Sequence, residues 1–100
     1  MNTVYTIEIE WSLQGEYGHD ILAITNKECV IPIFQKLVKR EQSESYLVEY
    51  FNLDGTLRED RINEVEYYEY TDSYFNFSTK DDEILVCIDI TPRQLITSCD

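Results

Sequence analysis

Acidic and aromatic residues are interleaved through the second half of the chain, and together they suit binding by charge and contact area. Residues 59–89 hold ten Asp and Glu against Arg61 and Lys80, a local net charge of −8. Tyrosine supplies a large rigid contact surface with a hydroxyl, and carboxylates beside it steer and align a positively charged partner. This segment therefore predicts a protein-binding surface.

The predicted partner-binding residues all lie in this segment. They are Glu64, Glu66, Tyr67, Tyr68, Glu69, Tyr70, Asp72, Asp81 and Asp82. Alternate residues of a strand lie about 6.5 to 7 Å apart, so Glu64 with Glu66, and Glu8 with Glu10, would form short ladders of negative charge. Such a ladder can occupy a groove that accepts nucleic acid, whose duplex carries one charge per about 1.7 Å. The competing interpretation is a solvated acidic face, with tyrosines that pair across strands or pack in the core.

Catalytic arrangements are not indicated. His19 is the one histidine, and no Ser, Cys or acid near it in sequence completes a nucleophilic set. The consecutive acids at 81–83 lack the alternating spacing of a calcium loop. The cysteines are Cys29, Cys87 and Cys99. Their odd number and wide spacing fit neither a disulfide framework nor a CxxC metal site, and we expect structural thiols. We predict no enzyme activity, no cofactor and no metal.

Composition indicates a folded acidic domain. The formal net charge is −12, from 20 Asp and Glu against 8 Lys and Arg, yet 43% of residues are hydrophobic and 13% aromatic, unlike disordered acidic segments. Three glycines, two prolines and the absence of a linker-like stretch predict a single acidic α+β domain over residues 1–100. The alternating N-terminus is unlike a secretory signal, and no apolar run approaches the roughly 20 residues of a membrane span, so we expect a cytoplasmic protein.

The first half predicts a hairpin and a helix. In residues 5–12 apolar and polar residues alternate strictly, which predicts a half-buried strand with Glu8, Glu10 and Ser12 on its outer face. Gly15 and Gly18 mark a reversal into a second strand over residues 19–25. A helix follows over about residues 27–42, with a basic outer face and a local net charge of +3 over residues 27–40, from four Lys and Arg against Glu28. Its predicted core stripe is Cys29, Val30, Ile33, Phe34, Leu37 and Val38.

The start of this helix has two possible positions. A capping box from Thr25 and Glu28 would place Pro32 inside the helix, where it costs about 3 kcal/mol or more. A start near Pro32 would use that proline in the first turn instead.

The second half predicts further strands. Residues 45–52 favour a strand, Asp54 and Gly55 a turn, residues 58–63 a turn or short helix, and residues 64–70 a strand. Turns follow at residues 71–73 and 80–83, on either side of a strand over residues 74–78. Residues 84–90 are apolar on both faces and predict a central strand. Thr91 and Pro92 are expected to cap a short helical segment. The fold class is thus α+β, an antiparallel sheet of four to six strands with one principal helix packed on one face.

No motif of a specific family is present, but in charge, size and composition the chain resembles two kinds of small inhibitor. One is the phage-encoded anti-defence protein, such as an anti-CRISPR, anti-restriction or glycosylase inhibitor. The other is the immunity protein that bacteria make against a basic nuclease toxin. Both resemblances imply occlusion of a basic groove on a protein partner, such as a nucleic-acid-binding enzyme or nuclease. The overall negative charge would repel nucleic acid, so we expect no direct nucleic-acid binding, and we expect no membrane binding. We favour the phage type because its charge density resembles that of a nucleic-acid mimic. A structural or assembly component is the alternative, and it predicts self-association.

Overall fold

The computed structural model describes residues 3–44, 46–81 and 83–94. Its elements are strands β1 (Thr3–Leu13) and β2 (Glu16–Thr25), helix α1 (Val30–Glu44), two 3-10 helices (Tyr46–Glu49 and Glu59–Glu64), and strands β3 (Val65–Tyr70), β4 (Tyr74–Thr79) and β5 (Ile84–Gln94). The strands form one antiparallel sheet in the order β2-β1-β5-β4-β3. This α+β architecture confirms the predicted fold class.

Strand β1 has the predicted two-faced pattern. Ile7 and Ile9 are buried on the side that α1 covers, and they pack with Phe77, Val86 and Ile88 from the neighbouring strands. Thr6, Glu8, Glu10 and Ser12 point to the other side. The alternation in sequence is enough to assign each side chain to a face, because successive residues of a strand point to opposite faces of the sheet.

The β1–β2 hairpin turns at Gln14 and Gly15. Both have positive φ angles, 50° and 90°, which is typical of the type I′ turn that joins twisted strands through two residues. Gly18 does not take part in the reversal, contrary to prediction. It lies within β2 opposite Trp11, and a Cβ there would stand 2.5 Å from Cζ2 of the indole. Glycine is required at position 18 because the Trp11 ring crosses it.

Helix α1 begins at Val30, so Pro32 lies in the first turn, where its missing N–H costs little. The preceding turn is held by Asn26, whose Oδ1 accepts a hydrogen bond of 2.9 Å from the Cys29 backbone N–H. Val30, Phe34 and Val38 are buried, and Ile33 and Leu37 pack partly against the core. Cys29 was predicted to belong to this stripe, but it precedes the helix and is exposed.

Residues 46–52 do not form the predicted strand. They begin with the 3-10 helix Tyr46–Glu49, from which Leu47 is buried, and continue to Tyr50 and Phe51, whose rings pack on Phe77. Phe51 makes only an isolated bridge, with Leu57. The aromatic side chains of this segment therefore contribute to the core and not to the sheet.

The remaining elements follow prediction except at the end of β5. Residues 59–64 form a short helix and β3 begins at Val65. Strand β5 is the central strand and continues through Thr91 and Pro92 to Gln94, so no helix is capped there. The Ile90 N–H donates to the carbonyl of Ser73, on the β4 side. Pro92, two residues further along, points its nitrogen to the same side, where pairing with β4 ends at Asp89 and no N–H is needed.

Candidate functional site

One side of the sheet is uncovered and carries most of the chemically informative side chains. Helix α1 packs on the side of Ile7 and Ile88, and within residues 3–44, 46–81 and 83–94 no helix or strand covers the other side. We call this other side the open face. It extends across all five strands, so side chains far apart in sequence are brought together there.

Strand register arranges the open face in rows that cross the sheet. The apolar row is Tyr17, Ser12, Leu85, Ser78 and Tyr67. The acidic row beside it is His19, Glu10, Cys87, Asn76 and Glu69. A third row is Ile21, Glu8, Asp89 and Tyr74. Neighbouring strands lie about 4.8 Å apart and successive rows about 6.5 to 7 Å apart, so the acidic row is flanked by large apolar side chains.

Glu8 is the buried carboxylate of this face, at 7% exposure. Its Oε2 accepts hydrogen bonds from the Thr6 hydroxyl at 2.5 Å and from Arg93 Nη2 at 2.8 Å, and its Oε1 lies 2.9 Å from His19 Nε2. These hydrogen bonds, from Thr6 first and then Arg93, lower the pKa of Glu8 from 4.5 to about 2. Glu8 therefore ties β2, β1 and β5 together and does not form a free ladder of charge with Glu10.

The neighbouring titratable groups concentrate negative potential on the face. Burial raises the pKa of Asp89, and the carboxylates of Glu8 and Glu10 raise it further. Burial likewise raises the pKa of the Cys87 thiol, with Asp89 and Glu10 adding to the effect. The carboxylates of Glu8 and Glu10 therefore oppose the ionisation of Asp89, and a positive group placed above the three would be stabilised.

A cleft of about 400 Å³ opens at one end of the apolar row. Tyr17 and Leu85 stand two strands apart, with the small Ser12 between them on β1. Glu10 and His19 line the side toward the acidic row. The cleft thus combines apolar walls with a carboxylate.

The structure separates the nine residues predicted to bind a partner. Tyr67 and Glu69 lie on the open face, and the Tyr67 hydroxyl donates a 3.0 Å hydrogen bond to Glu69 Oε2, which raises the pKa of Tyr67. Tyr68 and Tyr70 lie on the helix side. Their rings contact Phe75 with centroids 5.8 Å apart in each case, so much of their contact area is used in the core.

The predicted acids are placed at both ends of the β3–β4 hairpin. Glu64 ends a 3-10 helix and pairs with Arg61 Nη1 at 2.9 Å, and Glu66 lies at a bulge of β3, so these two do not form the predicted ladder. Asp72 lies in the β3–β4 turn, at the opposite end from Asp81. Asp81 Oδ1 accepts hydrogen bonds from the Thr79 hydroxyl and the Glu83 N–H, and these lower its pKa. Asp82 lies outside the described residues.

The sequence contained part of the signal for the open face. The alternation in β1 already placed Glu8, Glu10 and Ser12 on an outer face. What was missing is the pairing of β1 with β5, which adds Leu85, Cys87 and Asp89 to that face. Such pairing between distant strands is not encoded in local spacing.

Comparison with protein-family models, with curated proteins and with solved structures finds no match. Among the residues that the structure describes, no three His, Cys, Asp or Glu side chains are grouped as ligands for a metal ion. No helix in the same part of the chain is long and apolar enough to cross a membrane.

Proposed function

We propose that this protein is a stoichiometric inhibitor that binds and occludes a positively charged, nucleic-acid-binding surface of another protein. The observation that carries this proposal is the open face, where Glu10 and Glu69 lie in the row beside exposed Tyr17 and Tyr67, and Asp89 lies in the next row. Aromatic anchors give affinity and carboxylates give orientation and fast association.

The size of the face supports a protein partner. Five strands spaced about 4.8 Å apart, with rows from Ser12 to Thr6 along them, present on the order of 600 Å² once side-chain margins are included. A stable protein complex buries about 800 Å² on each partner, so the open face and its rim supply most of a standard interface.

The charge of the molecule supports a basic partner. A net charge of −12 on 100 residues repels nucleic acid and attracts surfaces that bind it. The proposed action is that of a nucleic-acid mimic of the kind made by phages, in the cytoplasm of the cell where the target enzyme works. Inhibition requires occupancy of the target and no turnover.

The test combines capture of the partner with an inhibition assay. Immobilised protein captures binding partners from a bacterial lysate at low salt, and each captured protein is purified and assayed for nucleic-acid binding or cleavage. We expect complete inhibition at a fixed molar ratio and competition with nucleic acid for the same site. Inactivation by substoichiometric amounts, or capture of proteins that have no nucleic-acid-binding activity, contradicts the proposal.

Charge reversal provides the matched comparison. Glu66→Lys/Glu69→Lys is expected to slow association, whereas charge reversal of Lys36 and Lys39 on the outer side of α1 should change it little. Because screening shortens from about 8 Å at physiological salt to about 3 Å at 1 M, association of the wild-type protein should also slow at high salt. Sedimentation over a range of concentrations tests the assembly-component alternative, which requires self-association.

A further inference from the structure

We propose that the cleft between Tyr17 and Leu85 receives an arginine side chain from the partner protein. This inference rests on the proposed function for the identity of the partner as a basic protein. The preference of the cleft for a guanidinium group follows from its own residues, and it can be measured without that partner.

The walls of the cleft suit the flat guanidinium and its aliphatic stem. Tyr17 is 85% exposed, so a face of its ring is available for stacking. Leu85 forms the facing apolar wall, and Ser12 is small enough to leave the floor open. Arginine stacks on aromatic rings more readily than lysine, because its delocalised cation is planar and weakly hydrated.

Glu10 supplies the complementary charge. It is exposed at the side of the cleft, and neither cationic side chain of the open face pairs with it, since His19 and Arg93 both contact Glu8. No ion pair involves Glu10 within the described part of the chain. A guanidinium between Tyr17 and Leu85 can therefore offer paired N–H donors to a carboxylate that has no cation of its own.

Other occupants fit this site less well. An acidic side chain would be repelled by Glu10, Glu8 and Asp89. A leucine or phenylalanine would fill the apolar walls but would remove water from Glu10 without a hydrogen bond in return, which is unfavourable. A second copy of this chain would bring another charge of −12 to an acidic face.

The experiment is an NMR titration of the full chain with N-acetyl-arginine methylamide at physiological salt, with the lysine and leucine derivatives as parallel probes. We expect arginine-dependent shifts of backbone amides around Ser12, Tyr17 and Leu85. Glu10→Gln and Tyr17→Ala should each weaken binding about three- to fivefold, as loss of an exposed ion pair or cation–π contact implies. Glu28→Gln is the matched control, because Glu28 is an exposed carboxylate that follows the far end of β2 from Tyr17, outside the cleft, and its removal should leave binding unchanged.

Several results would overturn the assignment. Equal shifts at all acidic surfaces, or equal weakening by Glu28→Gln, would show general attraction of cations. Lysine binding as tightly as arginine would remove the case for guanidinium stacking, and tighter binding of the leucine derivative would make the site an apolar pocket. Amide spectra of each variant establish that it is folded. The two proposals can fail separately. If a nucleic-acid-binding partner is captured and its inhibition does not change with Glu10→Gln, the arginine site is rejected and the proposed function stands. If the arginine derivative binds in the cleft but no partner is inhibited, the proposed function is rejected and the arginine site stands.

Discussion

Replacing Glu8 by glutamine tests the buried ion network of the open face through its dependence on pH. Lowering the pKa from 4.5 to about 2 corresponds to about 3 kcal/mol, at about 1.36 kcal/mol per pH unit. The side chains of Arg93 and His19 are half-exposed, so solvent screens part of this energy. We therefore expect Glu8→Gln to lower the free energy of unfolding by about 2 kcal/mol at pH 7.

The sign of the pH dependence follows from the direction of the pKa change. Because the folded-state pKa is depressed, the stabilisation is fully present above pH 4.5 and is lost as the pH falls toward 2. At pH 3 about half should remain, so the difference between wild type and Glu8→Gln should narrow to about 1 kcal/mol. Asp89 acts in the opposite direction, since its pKa is raised and its protonation in the folded state becomes favourable as the pH falls.

Urea unfolding followed through Trp11, the one tryptophan, measures these differences at pH 7 and pH 3. Repeating the comparison in an Asp89→Asn background removes the opposing titration. The reasoning is refuted if Glu8→Gln costs the same at both pH values in that background, because the loss would then arise from packing and not from charge.

Three further substitutions test the fold that positions the open face. Gly18→Ala should cost about 1 to 3 kcal/mol and shift the emission of Trp11, because the added Cβ would overlap the indole, and urea unfolding measures the loss. Phe34→Ala should cost about 3 to 5 kcal/mol, measured in the same way, because the ring is fully buried in the core. Gln14→Gly should raise the melting temperature and increase the free energy of unfolding by up to about 1 kcal/mol, because position 14 has a positive φ that glycine adopts without strain. An unchanged or lower melting temperature would contradict the type I′ assignment.

The local sequence pattern was sufficient to predict those strands and helices that bury one face. The alternation of residues 5–12 and the stripe from Val30 to Val38 each follow the period of a strand or a helix, so both elements and their inward faces were predicted correctly. Cys29 has the helical spacing but lies in the turn that Asn26 caps, before the helix begins. Periodicity alone does not show where the helix starts.

The predictions from sequence were wrong where contacts between distant segments determine the structure. Tyr50 and Phe51 favour a strand by residue type, yet their rings pack on Phe77, and Phe51 makes only an isolated bridge with Leu57. The sequence predicted the candidate site on one hairpin, whereas the open face depends on β1 lying beside β5. Tyr68 and Tyr70 show the same limit, since only the register reveals that they face the helix.

The pairing of β1 with β5 also sets the order in which the chain can acquire its structure. The two strands are separated by about 70 residues, from Gln14 to Glu83, so their contact closes a long loop at the centre of the sheet. Closing such a loop loses chain entropy before many contacts compensate, and proteins dominated by distant pairings fold slowly. During synthesis on the ribosome, β1 and its hairpin partner β2 must wait for β5 to emerge before the hairpin gains its second neighbour. The open face, and with it the proposed binding surface, is therefore complete only once β5 has joined β1.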